Sequence, residues 1–288
     1  MLRSLIAFLF PRRWRGQLAQ VNKRLATDAA PPADVGERID GWLRWPAWEV
    51  RNAALKLIAH LRDESRYPLL IHKLTDRREA GIVRRNAAEA IARVGLDTDA
   101  ARTALRKALD DPYWEVRAEA GRALARLFPP AEPLERDLLE LLYGHARNGR
   151  VTVAEDNFEV RMAIAEALGH LGVSDRAFAA LARLARDESW PVRSQAAIAL
   201  THFAARHPDR FDDARAAVKG IDRQSEGAIS YFVHRDVLSS ALRAIHRGPG
   251  AVKPDEFHDL YLNPKAGWNH VRKPGMPAGA TDRHRPPG

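Results

Sequence analysis

The chain holds no cysteine in 288 residues. Disulfides, thiol nucleophiles and cysteine-ligated metals are thereby excluded, and the composition fits a cytoplasmic protein. Long apolar runs are missing too. The run Leu5–Phe10 falls far short of the ~20 residues that a membrane-spanning helix needs. It is also no secretory signal, because its positive charges follow the apolar part and no small-residue cleavage site comes after them. Gly-rich phosphate loops, His-Glu-x-x-His and Gly-x-Ser-x-Gly are all absent. The sequence therefore offers no catalytic set, no cofactor site and no metal site, and it reads as a non-enzymatic chain with no evident small-molecule substrate.

Acidic residues are scarce at the ends. The net charge is +9, but residues 1–27 carry six Lys/Arg and no acid, and residues 251–288 carry six Lys/Arg against four acids. The body between them is nearly neutral, which lowers the expectation of a sequence-reading DNA protein while leaving room for a local basic groove. At the N-terminus, apolar bulk followed by Trp14 among arginines fits a segment lying on an anionic membrane surface. It also fits a first helix docked on the end of the fold.

What the chain has in abundance is a repeat. Val-Arg recurs at Val50-Arg51, Val83-Arg84, Val116-Arg117, Val160-Arg161 and Val192-Arg193, at spacings of 33, 33, 44 and 32. Counted from each Val, apolar residues fall at offsets 0, +4, +7, +8 and +11, as in Val116, Ala120, Ala123, Leu124 and Leu127. That is one face of an α-helix. Its many alanines allow another helix to come close. Asp111 and Ser189 stand where helix caps belong, and Pro112 suits a first helical position. A second apolar-periodic stretch precedes each such helix, for example Ala101–Leu109. Each unit is then a helical hairpin that buries its face only by stacking on its neighbours.

The pattern Asp-Pro-x-x-x-Val-Arg-x-x-Ala-x-x-Ala-Leu resembles HEAT repeats, in particular the short type found in phycobilisome lyases and in many unrelated bacterial proteins. The resemblance covers roughly residues 34–247. It implies an all-α, right-handed α-solenoid of about six hairpins; by composition a basic and apolar N-terminal segment and linker precede it at 1–33. A Pro/Gly-rich, largely disordered tail follows at 248–288, within which Phe257, Leu260, Tyr261 and Trp268 suggest a docking segment. The resemblance also implies that the Arg after each Val (Arg51, Arg84, Arg117, Arg161, Arg193) forms a structural ladder with inter-helix Asp residues of neighbouring units. Some HEAT-like proteins are di-iron hydroxylases with His-Glu pairs; this chain has no His-Glu dipeptide. The sixth unit, Asp209–Gly220 followed by roughly Gly227–Arg247, is degenerate, as terminal repeats usually are.

Three features are candidates for function. The fourth unit has about 11 extra residues around 147–157, and loops inserted in solenoids often carry function; Glu155 and Asp156 there could hold a cation or meet a basic partner. Trp42, Trp45 and Trp48 form either an aromatic platform or core at a hairpin junction. Offsets +3 and +10 give two rows on the helix flank, and the resemblance puts the second helix of each hairpin on the concave surface. Asn86, Arg93, Glu119, Arg126, His170, Gln195 and His202 are then the expected partner-binding residues. Near a helix C-terminus, however, Arg and His also simply favour the last carbonyls. The reading that follows is a scaffold or adaptor that binds a protein partner through its concave face and the 147–157 loop. The alternatives are a nucleic-acid-binding protein of the DNA-glycosylase type, an adaptor held peripherally at the inner membrane surface through residues 1–27, and a bilin-lyase-like protein.

Overall fold

The computed structural model describes residues 11–25, 35–144, 146–147, 150–151, 154–225 and 227–247. The expectations for residues 1–10, the 26–34 linker and the tail from 248 lie outside these. Among the described residues there are 13 α-helices: α1 (Pro11–Leu25), α2 (Val35–Leu43), α3 (Trp48–Leu61), α4 (Tyr67–Thr75), α5 (Gly81–Val94), α6 (Asp99–Ala108), α7 (Trp114–Leu127), α8 (Glu132–Tyr143), α9 (Phe158–Leu171), α10 (Asp175–Leu184), α11 (Trp190–Arg206), α12 (Phe211–Lys219) and α13 (Ala228–His246). Inside the insertion, Ala146–Arg147 pairs antiparallel with Arg150–Val151.

The helices form an α-solenoid of two layers. The second helices of the hairpins, α3, α5, α7, α9, α11 and α13, stack side by side in chain order. The first helices, α2, α4, α6, α8, α10 and α12, each pack on their own partner to make the other layer. α1 lies beside α3 and extends the inner row at its start, with Val21 fully buried and Gln17 accepting from the Trp42 indole nitrogen. Val50, Val83, Val116, Val160 and Val192 are all 0% exposed, so offset 0 does mark the buried face. Burying such a side chain contributes about 1.5–3 kcal/mol.

The ladder arginines join consecutive hairpins. Each guanidinium turns one edge to the loop of its own hairpin and the other to the next. Arg51 donates to the Trp45 and Pro46 carbonyls (2.6 and 2.7 Å) and to the Glu79 carboxylate. Arg84 donates to the Glu79 carbonyl and, at 2.9 and 2.8 Å, to Asp111. Arg117 pairs in the same way with Glu155 (2.8 and 2.9 Å) and Arg161 with Asp187 (2.8 and 3.0 Å). Arg193 donates to the backbone carbonyls of Asp222 and Gln224 instead. Bidentate geometry of this kind fixes direction as well as distance. Acceptance from Arg84 and from the Tyr113 amide (2.9 Å) also explains why Asp111 does not cap α7: its carboxylate ties the loop to the preceding unit. Ser189 occupies the cap position of α11 but makes no side-chain cap.

The sixth unit keeps the register in disguise. His234-Arg235 stands where Val-Arg is expected, and His234, Leu238, Ala241 and Ile245, at offsets 0, +4, +7 and +11, are all buried. A histidine can replace the valine because its ring is satisfied: Ser194 Oγ meets Nδ1, and Nε2 meets the Asp222 carbonyl at 2.8 Å. Burial holds this imidazole below its ordinary range.

Candidate partner-binding face

A helix in the inner row has three kinds of surface. One meets the first-helix layer, two meet its neighbours in the row, and the last turns away from the core. Offset +3 proves to lie in the seam between neighbours. Asn86, Glu119 and Gln195 are only 3%, 3% and 5% exposed, and Asn86 donates to Asn52 of α3. These three expected partner-binding residues are therefore buried between helices rather than displayed. The reason is the angle: at 100° per residue, offset +3 points sideways toward the preceding unit.

Besides the expected Arg93 and Arg126 at offset +10, the residues that turn outward are at offsets +2 and +6, which the sequence reading passed over: Asn52 and Lys56 on α3, Arg85 and Glu89 on α5, Arg122 on α7, Met162 and Glu166 on α9. All of them are half-buried or exposed. The signal was present as a polar residue at +6 in four consecutive units. On α11 the corresponding Ser194 and Ile198 are buried, so the strip runs from α3 to α9.

Charged groups dominate the middle of this strip. Arg85 pairs with Glu89 at 2.8 Å, and Arg93 pairs with Glu89 at 3.0 Å. Arg122 donates to Glu166 of α9 at 3.1 Å. Beneath them sits Glu119. Arg85 Nη2 is 3.5 Å and Arg122 Nη1 4.0 Å from its Oε2, and Arg126 Nη1 is 3.8 Å from its Oε1. Its Oε1 is buried with no hydrogen-bond partner among the described residues. Burial raises the Glu119 carboxyl above its ordinary range, against the opposing pull of Arg122, Arg85 and Arg126. Of the expected site residues, the structure thus gathers Asn86, Arg93, Glu119 and Arg126 in one neighbourhood.

The two histidines form a separate pair. The rings of His170 and His202 meet edge to face with centroids 4.8 Å apart. Burial, then His170 and then Arg206, hold His202 down to about 4, so at neutral pH it is an uncharged packing group. No group of three or more His, Cys, Asp or Glu able to hold a metal occurs among the described residues.

Two further expectations shift. Glu155 is committed to Arg117, and the Asp156 carbonyl accepts from Arg161, so this end of the insertion belongs to the ladder. Of the tryptophan cluster, Trp42 is buried (3%) and Trp48 is 42% exposed. No helix among the described residues is long and apolar enough to cross a membrane.

Comparison with known proteins bears on the fold. A family model described as HEAT repeats matches residues 39–125 and 150–223, more than half of the chain. An engineered protein of known structure is similar at 21% identity, covering 74% of this chain and 97% of its own, with a TM-score of 0.45. The complex of CpcE and CpcF of phycocyanin lyase from Nostoc is similar at 18% identity over 75% of this chain and 97% of that one, with a TM-score of 0.40. Human deoxyhypusine hydroxylase is similar at 19% identity over 82% and 99%, with a TM-score of 0.31. No curated protein matches the sequence. With a matched model spanning most of the repeats and the stacked hairpins in place, the chain belongs to the HEAT repeat family.

Proposed function

We propose that this chain is a scaffold that holds a segment of a partner protein along the outward strip of its inner helices. One observation carries the reading: helices α3, α5, α7 and α9 each present a charged side chain at offset +6 (Lys56, Glu89, Arg122, Glu166), side by side and outside the core, with polar Asn52 and Arg85 beside them at offset +2 on α3 and α5. A stacked array offers an extended partner the same kind of contact at each step. The strip mixes both signs of charge, which favours specific pairing over a blanket affinity for polyanions. In this proposal residues 1–33 and 248–288 flank the repeats in sequence, and the 147–157 loop connects α8 to α9, the last helix of the strip.

Photo-crosslinking tests it. A photoreactive phenylalanine derivative replaces Lys56, which is exposed on α3, or Leu69, which is 41% exposed on the first-helix layer. Nuclease-treated native lysate should give a discrete protein adduct from position 56 and none from position 69. Equal adducts from both positions, or nucleic acid alone in the untreated sample, would overturn the proposal.

A further inference from the structure

The buried Glu119 carboxylate poses a question that packing does not answer. A buried acceptor without a partner is costly, and here it lies under guanidinium groups that are themselves within reach of solvent. The side chains of Arg85, Arg122 and Arg126 are 31%, 21% and 28% exposed, against 4% for Glu119. All three stand 3.5–4.0 Å from its oxygens, near enough to share charge and beyond hydrogen-bond length. We propose that Arg85, Arg122 and Arg126 seat one carboxylate of an acidic protein segment over Glu119, and that Glu119 takes up a proton as the segment binds. This deepens the scaffold proposal and rests on it.

The chemistry is that of two carboxylates sharing one proton. An incoming carboxylate placed against ionised Glu119 meets a like charge at close range, and one of the two must neutralise. Glu119 is the one already biased toward its neutral form, by burial. Once protonated it becomes a donor, and its O–H can bond an oxygen of the incoming group while the three guanidiniums supply the positive charge. One proton comes from solvent and no covalent bond changes.

The surroundings choose the ligand. Glu119 is faced by Arg122 and Arg126 on its own helix and by Arg85 and Glu89 on α5; from α9, Glu166 holds Arg122. Toward the start of α9, Glu159 also senses Glu115 and Arg122. A single carboxylate fits among these charges. A nucleic-acid backbone, with its run of phosphates, would lie against Glu89, Glu166, Glu115 and Glu159 and be repelled by them.

The test uses the full chain, with labelled blocked Ser-rich peptides that carry one central Glu or one central Lys, and a short single-stranded DNA. The Glu peptide should bind, and bind more tightly at about pH 6 than at about pH 8, with net proton uptake measured by titration calorimetry in buffers of differing ionisation heat. Arg126→Ala should weaken it about tenfold or more, a loss of about one charged contact. Glu119→Gln, which mimics the neutral acid, should hold the tighter affinity at both pH values and abolish the proton uptake. A purely structural role for Glu119 would not erase that pH dependence. No Glu-peptide binding, pH dependence that survives in Glu119→Gln, or DNA bound more tightly than the Glu peptide would each overturn the proposal. A protein adduct at position 56 together with any of those results would leave the scaffold standing and remove only the acidic-segment chemistry.

Discussion

Single side chains set how this protein answers to acid. His202 is held down to about 4 in the fold against an unfolded value near 6.5. The unfolded chain therefore binds a proton that the folded one refuses, and stability is lost as pH falls from about 6.5 toward 4. Glu79 works lower down. Burial alone would raise it, but hydrogen bonds from Arg51 and Lys73 hold it at about 2, so its contribution is present above about 4.5 and lost as pH falls toward 2. Each is worth up to about 3 kcal/mol. Glu119 opposes them, because a raised carboxyl gains protons on folding and adds stability as pH falls. Chemical denaturation between pH 8 and pH 4 should show a decline that His202→Leu flattens and Glu119→Gln steepens. An unchanged slope in both variants would mean that neither group is as buried as the structure places it.

Helix contacts depend on small residues and on the ladder. A Cβ added to Gly169 would meet the Ala199 Cα at 2.8 Å, so α9 and α11 approach through a glycine facing an alanine. Gly169→Ala should cost about 1–3 kcal/mol by forcing the two helices apart, which thermal melting will read; a neutral result would show that the stack yields easily. Arg117 and Glu155 test the ladder. Arg117→Met leaves a buried carboxylate unpaired and should cost about 3–5 kcal/mol, whereas Arg117→Met with Glu155→Met should recover much of the loss. If the double variant is no better than the single, the pair is not the reason for the cost. How much of this was legible follows from what each position demands. Val-Arg could be read because the same buried face recurs in all five Val-Arg units and four of the five arginines meet a carboxylate of the next loop. Offset +3 misled because polarity alone does not distinguish a seam from a surface, and Asn86 and Gln195 are polar yet buried. The sixth unit hid because His234 satisfies by hydrogen bonds a position that elsewhere needs an alkyl group. Glu155 looked available because its partner lies 38 residues back.

At the scale of the whole molecule, a row of stacked helices has two ends, and an end repeat exposes a face that inner repeats bury. α1 meets this need at the start. It lies against α3, buries Val21 completely and packs Leu18 on the same core. Arg15 and Lys23 are exposed, away from that buried side, so one amphipathic element closes the stack. Because each repeat touches mainly its neighbours, losing α1 should be felt locally. Removal of residues 1–27 should therefore speed hydrogen exchange in α2 and α3 by orders of magnitude and leave α9 and α11 near their original protection. Uniform loss of protection would mean that the array unfolds as a single unit. Unchanged exchange in α3 would mean that the segment only rests on the array, and that its basic, apolar sequence is free for another surface. Sedimentation of the full chain with anionic vesicles separates those cases further: a helix that closes the stack keeps its apolar side buried and should leave the protein in the supernatant, whereas one that exchanges between the stack and a lipid surface should carry it into the pellet at low salt and release it as salt rises.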